Sequence, residues 1–167
     1  MSDPTPDPTK VILRMLRDDS RVTFEQLSKR LDIPVSRVQE IVKDLEKSKA
    51  IVAYKAIVNP EVVDDGLVDA IIQVKVTPKR GHGFDEIARR IGGFPQVDSL
   101  YLMSGGSDFL VFMHAPSIKE IALFVTDKLS TLDDIQSTMT HFILKEYKKD
   151  GTILSGVEST DRLAVSP

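Results

Sequence analysis

Thr23 to Leu45 reads TFEQLSKRLDIPVSRVQEIVKDL, and the stretch spells two helices joined by a tight turn. Thr23 and Gln26 stand three apart at the head of the first, the spacing at which a hydroxyl and an amide each satisfy a free backbone donor of a starting helix. Phe24, Leu27 and Leu31 then recur at helical spacing and predict a buried stripe. After Asp32, Pro34 pre-sets the backbone for an early helical position, and Val38, Ile41, Val42 and Leu45 form the apolar face of the next helix. Upstream, Val11, Ile12, Met15 and Leu16 give one more short stripe over Lys10 to Arg17, ended by Asp18, Asp19 and Ser20. Three short helices with a tight turn between the last two make the geometry that sets a helix into the major groove of DNA.

On the last of these helices Ser36, Arg37, Gln39, Glu40 and Lys43 are left for solvent. Hydroxyl, amide and guanidinium groups suit base edges and phosphates, so these five, with Thr23 and Pro34 at the helix starts, are the candidate DNA contacts. Glu40 and Asp44 work against that, because carboxylates repel phosphate unless one accepts from cytosine or pairs with Lys43. A modest intrinsic affinity, raised by oligomerisation, is therefore expected. The plainer alternative is a three-helix packing module whose polar face is merely wet. Ala50 to Val58, with Ile51, Val52, Tyr54 and Ile57, is β-prone and stops at Asn59 and Pro60, so it is predicted to be a strand leading out of the helical unit.

Composition limits what else the chain does. Its 167 residues and 41% hydrophobic content allow two small cores. With no cysteine, disulfides, thiolate metal sites and cysteine nucleophiles are excluded, in keeping with a reducing, cytoplasmic setting. Residues 1–9 carry three prolines and two aspartates and are expected to be a disordered leader, lacking the apolar run of a signal peptide. No stretch approaches a membrane span. The net charge is −3, yet residues 1–60 hold eleven Lys or Arg against nine Asp or Glu, and the remainder eleven against sixteen. A slightly basic half thus precedes an acidic one, the sign expected when the first half meets DNA.

Beyond the linker, Val68 to Thr77 alternates, with Ala70, Ile72, Val74 and Val76 on one face and Asp69, Gln73 and Lys75 on the other. Pro78 to Gly83 reads as a loop. Phe84, Ile87, Ala88 and Ile91 predict a helix that Gly92, Gly93 and Pro95 stop. Val97 to Ser104 and Phe109 to Ala115 are strands around a glycine-containing turn, hence a hairpin. Ser117 opens a helix expected to bury Ile118, Ile121, Ala122, Phe124, Val125 and Leu129, and Ile135 to Leu144 closes the sheet. The order β, α, β, β, α, β is the ferredoxin-like split βαβ arrangement, an antiparallel sheet with both helices on one side. The fold class is α+β. Leu100, Leu102, Leu110, Phe112, Phe142 and Leu144, or their alternates, are assigned to the uncovered face, too apolar to leave wet, so a dimer through this domain is expected.

With both halves in view the chain resembles the Lrp/AsnC family of leucine-responsive, feast/famine regulators. The segments that carry the resemblance are ILRMLRDDSRVTFEQLSKRLDIPVSRVQEIVKDLEKSKAIVAYKAIVNP, LYLMSGGSDFLV and IQSTMTHFILKEYK, and it runs from about Lys10 to Asp150. It implies a winged helix-turn-helix over 10–50, a linker strand and hinge over 51–66, and an effector-binding and oligomerisation domain of RAM type over 67–150; the tail over 151–167 extends past the resemblance and is expected to be a flexible or partner-packing appendage. It also implies a homodimer, assembling to a tetramer or octamer, that binds double-stranded promoter DNA and is tuned by an amino acid. Carried onto this chain, the effector site comprises Leu102, Met103, Gly105, Gly106 and Asp108, with Thr138 and Thr140 opposite. A zwitterion needs a carboxylate for its ammonium and amide or hydroxyl donors for its own carboxylate, which these residues offer. Locally, Gly105, Gly106 and Asp108 read equally as a plain hairpin turn, and the threonines as ordinary strand residues. The family usually opens its recognition helix with serine where Pro34 stands, and often has a more basic helix.

No catalytic, cofactor or metal site is expected. His82, His114 and His141 stand singly, without a neighbouring carboxylate at ligand spacing, and no nucleophile or phosphate-loop motif occurs. Two alternatives share the build. One is a siroheme decarboxylase, which would need histidines and arginines around a tetrapyrrole. The other is an architectural DNA-compacting protein without an effector.

Overall fold

The computed structural model describes residues 7–63, 66–77 and 83–154. The chain divides after Ala56 into two compact units.

The first unit holds α1 (Pro8–Asp18), α2 (Phe24–Leu31) and α3 (Val35–Lys47). Asp7 caps α1, accepting from the Thr9 N–H, and Pro8 occupies its first turn. Residues 7–9 therefore belong to a helix and not to the expected leader, whose residues 1–6 lie outside the described residues. The reciprocal cap at α2 is formed. Thr23 N–H donates to Gln26 Oε1 at 2.8 Å, and Gln26 N–H to Thr23 Oγ1 at 3.2 Å. Asp32 ends α2 in the left-handed conformation, φ 53°, and Ser28 Oγ donates to the Ile33 carbonyl across the turn. Ile12, Leu16, Leu27, Val38, Ile41, Val42 and Leu45 form one buried core. Phe24, expected inside, is 36% exposed: it is the first residue of α2, before the helix turns onto the core. The expected strand over 50–58 forms no ladder. An extended segment becomes a strand only by pairing, and none of the described strands pairs with it. Tyr54 is tied back to α3 instead, its hydroxyl donating to Glu46 Oε1 at 3.0 Å.

The second unit is a four-stranded antiparallel sheet in the order β2-β3-β1-β4, made of β1 (Val68–Val76), β2 (Val97–Leu102), β3 (Phe109–Ala115) and β4 (Ile135–Phe142). Two helices, α4 (Phe84–Gly92) and α5 (Ile118–Phe124, prolonged by a π-helical turn Val125–Leu129), cover one face. Alternation explains the core. Ala70, Ile72, Val74 and Val76 of β1 and Phe109, Val111, Met113 and Ala115 of β3 all point to Ile87, Ile91, Ile121, Phe124 and Leu129. Each fully buried Val, Leu, Ile, Phe or Met side chain among them contributes about 1.5–3 kcal/mol.

Register corrects the open face. Directly opposite residues share a face. Leu100 pairs with Val111, Leu102 with Phe109, and Phe142 with Ala70, so all three belong to the helix-covered side. Leu144, at 96% exposed, lies past the end of β4. The open face keeps Leu110 and Phe112, as expected, and adds Tyr101, Ile71 and Met139, with Tyr101 edge-on to Phe112 at 5.8 Å. Gln73, Lys75, His114 and His141 interrupt it, so it is less apolar than expected. The expected burial of Ile118 and Ala122 also fails: both are exposed on the outer side of α5, because the sheet takes the Ile121 and Phe124 ridge.

β2 ends at Leu102 and β4 at Phe142, two residues short of expectation in each case. The C-terminal segment folds into a small hairpin, β5 (Lys148–Lys149) with β6 (Thr152–Ile153), turning on Asp150 and Gly151 at φ 45° and 87°. Leu154 is buried, and its carbonyl accepts from Asn59 Nδ2 at 2.7 Å. The described start of the tail is thus structured, while 155–167, like the loop 78–82 with His82, lie outside the described residues.

Candidate functional site

Two groups of sequence-selected residues call for placement. On α3 the helical repeat of about 100° per residue puts Ser36, Glu40, Lys43 and Lys47 opposite the buried side, with Arg37 and Gln39 on its flanks. All six are exposed. The sequence reading stopped at Lys43, although the same repeat carries the outward face on to Lys47. Glu40 pairs with Arg37 and not with Lys43: Arg37 Nη1 donates to Glu40 Oε2 at 3.0 Å. Thr23 is occupied as the cap of α2. The Glu25 carboxyl beside it sits below its ordinary value, held by the backbone N–H and then by the Thr23 hydroxyl. Pro34 is the N-cap residue of α3 with no side-chain cap, the local consequence of a proline in place of a serine.

The other group does not assemble in one place. Leu102, Met103, Gly105 and Gly106 lie exposed at the β2–β3 turn, and a Cβ added at either glycine would meet nothing within 4 Å. Asp108 closes that turn and does structural work. Its Oδ2 accepts from Val76 N–H at 2.8 Å, and its own N–H donates to the Val74 carbonyl at 3.0 Å. The β1–β4 register shifts between Lys75 and Val76, beyond the last β1–β3 pair at Val74 and Phe109, so the carboxylate satisfies a donor the ladder leaves over. Thr138 and Thr140, half-buried, pair with Val74 and Ile72 on β4, the other edge strand. At about 4.8 Å per strand, Thr138 is about 10 Å from Asp108 across β1, and about 14 Å from the β2 edge. The two halves of the set therefore flank the sheet, with β1 between them.

Past the end of β1, Thr77 N–H donates to the Asp134 carbonyl at 2.8 Å. The Asp134 side chain is 2% exposed, with Oδ2 3.6 Å from Arg90 Nη1. His114 has a carboxylate neighbour that sequence spacing hid, Asp98, at 2.7 Å from Nδ1; a kink in β2 between Val97 and Ser99 brings it there. Among the described residues no three His, Cys, Asp or Glu side chains group to hold a metal. No described helix is long and apolar enough to cross a membrane.

Comparison with known proteins gives the same two parts. Residues 7–52 match the family described as winged helix-turn-helix DNA-binding, and residues 69–153 that described as Lrp/AsnC ligand binding domain. The HTH-type transcriptional regulator YugG of Bacillus subtilis is 49% identical over 158 residues, covering 93% of this chain and 95% of that protein. The HTH-type transcriptional regulator PH0140 of Pyrococcus horikoshii is 30% identical over 142 residues, 85% of this chain and 87% of its own. Among solved structures, the transcriptional regulator NMB0573 of Neisseria meningitidis, in complex with L-Met, superposes with a TM-score of 0.67. It is 28% identical and the match covers 89% of this chain and 94% of that one.

Proposed function

The chain belongs to the Lrp/AsnC family of transcriptional regulators, and from that premise we propose that it reads specific operator sequences with the outward face of α3 and answers to an amino acid. The DNA contacts are Ser36, Arg37, Gln39, Glu40 and Lys43 on α3, with Thr23 and Pro34 at the helix starts. The observation that carries this assignment is the division of α3: Val38, Ile41, Val42 and Leu45 are buried, so a rigid helix holds polar side chains outward where a groove can receive them.

The effector is an amino acid seated against Leu102, Met103, Gly105, Gly106 and Asp108, with Thr138 and Thr140 supplied from across a subunit boundary. Support comes from the separation of the two groups across β1, which a second copy of the chain would bridge, and from the L-Met bound by the Neisseria relative. The protein works as a homodimer, assembling further to a tetramer or octamer, in the cytoplasm and without catalytic activity. Ligand binding shifts its assembly or its DNA affinity, since a ligand moves an equilibrium only by its differential affinity for the two states.

Two titrations test this reading. Arg37→Ala should weaken operator binding in a fluorescence anisotropy titration at fixed salt while leaving the sedimentation profile unchanged; equal affinity removes Arg37 from the interface. A thermal-shift panel of the common amino acids should give at least one stabilising hit, and a flat panel sinks the effector assignment.

A further inference from the structure

Glu40 is the residue of the α3 face that electrostatics argues against. It stands in the middle of the outward side, where approach to a duplex is closest, and a carboxylate there faces phosphate repulsion. Its partner shows a use for it. Arg37 Nη1 holds Glu40 Oε2 at 3.0 Å with both side chains more than half exposed, 60% and 64%, one helical turn apart. That bond engages one guanidinium nitrogen and one carboxylate oxygen. The rest of the fork and the second oxygen remain available on these two exposed side chains, N–H donors beside an acceptor.

The major-groove edge of a G·C pair presents the complement: guanine N7 and O6 as acceptors, then the cytosine N4 amino group as donor. An A·T pair alternates acceptor, donor, acceptor, and so sets the guanidinium against the adenine amino group or the carboxylate against thymine O4. We propose that Arg37 and Glu40 read one G·C pair as a unit, the guanidinium donating to guanine N7 and O6 and the carboxylate accepting from cytosine N4. This rests on the reading of α3 as the DNA-contacting helix, and it names the base pair at the centre of the contact. Lys43 and Lys47, further along the same face, are left for phosphates.

The full-length protein is used to select sites from a random duplex library at fixed salt. The selected duplex and its single-base-pair variants are then titrated with wild type, Glu40→Gln and Arg37→Lys. One half-site position should favour G·C over the other pairs by roughly 5- to 150-fold, the range one good base contact supplies. Glu40→Gln removes a repulsive charge together with the ionised acceptor that pairs with Arg37, so it should tighten binding to duplexes lacking that G·C pair more than to the selected duplex, lowering the preference at that position alone. Arg37→Lys keeps the charge but loses the fork, and should flatten the same position with the salt slope unchanged. Uniform tightening by Glu40→Gln with base preference intact overturns the proposal, as does a wild-type site without any G·C-selective position or a pair of variants that flatten different positions. A wild-type protein that binds no duplex at all overturns the DNA-contacting reading beneath it, which is a separate result.

Discussion

The outward face of α3 and the two edges of the β-sheet solve different problems with the same chain. The helix face is finished within one subunit, because its polar residues only need a rigid support, and the buried residues on the reverse of α3 provide it. The sheet edges are not finished. Asp108 and the glycine turn lie on one side of β1, Thr138 and Thr140 on the other, and no rearrangement of side chains moves a β-strand out of the way. A face made by one helix can be complete in isolation; the proposed effector pocket, taking its donors from both edges of a sheet, would have to borrow.

The largest effect that tests this contrast is loss of either core. Leu27→Ala should cost the helical unit about 2–5 kcal/mol, and Ile91→Ala the sheet unit a similar amount, both residues being fully buried. Hydrogen exchange should lose protection in the substituted unit only. Protection falling equally in both would mean that the two behave as one cooperative body, and the contrast would lose its basis.

A smaller effect separates the structural bond of Asp108 from its proposed part in effector binding. Asp108→Ala strands the Val76 N–H and should cost about 1–3 kcal/mol in denaturant unfolding. Asp108→Asn keeps an acceptor for that N–H but removes the charge an ammonium would seek. It should preserve most of the stability while abolishing the calorimetric response to an amino acid that stabilises the wild type. If the asparagine variant still responds fully, Asp108 is only the staple of the turn.

The smallest effect is on the helical side. The Tyr54 hydroxyl is raised above its ordinary 10.0, first by partial burial and then by its bond to Glu46. A raised folded value means that this contribution to stability is whole below 10.0 and is lost as pH climbs through the folded value. The tyrosinate absorbance difference between wild type and Tyr54→Phe should therefore have its midpoint above pH 10.0. A difference curve centred at or below that value would detach Tyr54 from α3.

Much of this architecture was legible because it rests on short-range geometry. The Thr23 and Gln26 cap, the Ser117 helix start and the alternation in β1 are each decided within a few residues, and spacing alone predicts them. The Asp150 and Gly151 turn was equally local, an Asp-Gly pair suited to positive φ at both positions, but strands of two residues give no alternation to flag it. The misassigned face of Leu100, Leu102 and Phe142 is another kind of miss. A one-residue change in register turns every side chain of a strand over, and the irregularities near Asp98 and Val76 exist only once strands distant in sequence have paired.

The amino-acid order alone determined the helix starts at Thr23 and Ser117, most of the buried helix stripes and the βαββαβ succession, since caps and periodicities act between near neighbours. Tertiary structure decided which face each edge-strand residue occupies, that Asp108 answers Val76 and that Arg37 holds Glu40, since those depend on strand register and on rotamers chosen among exposed neighbours, neither of which spacing along the chain can encode.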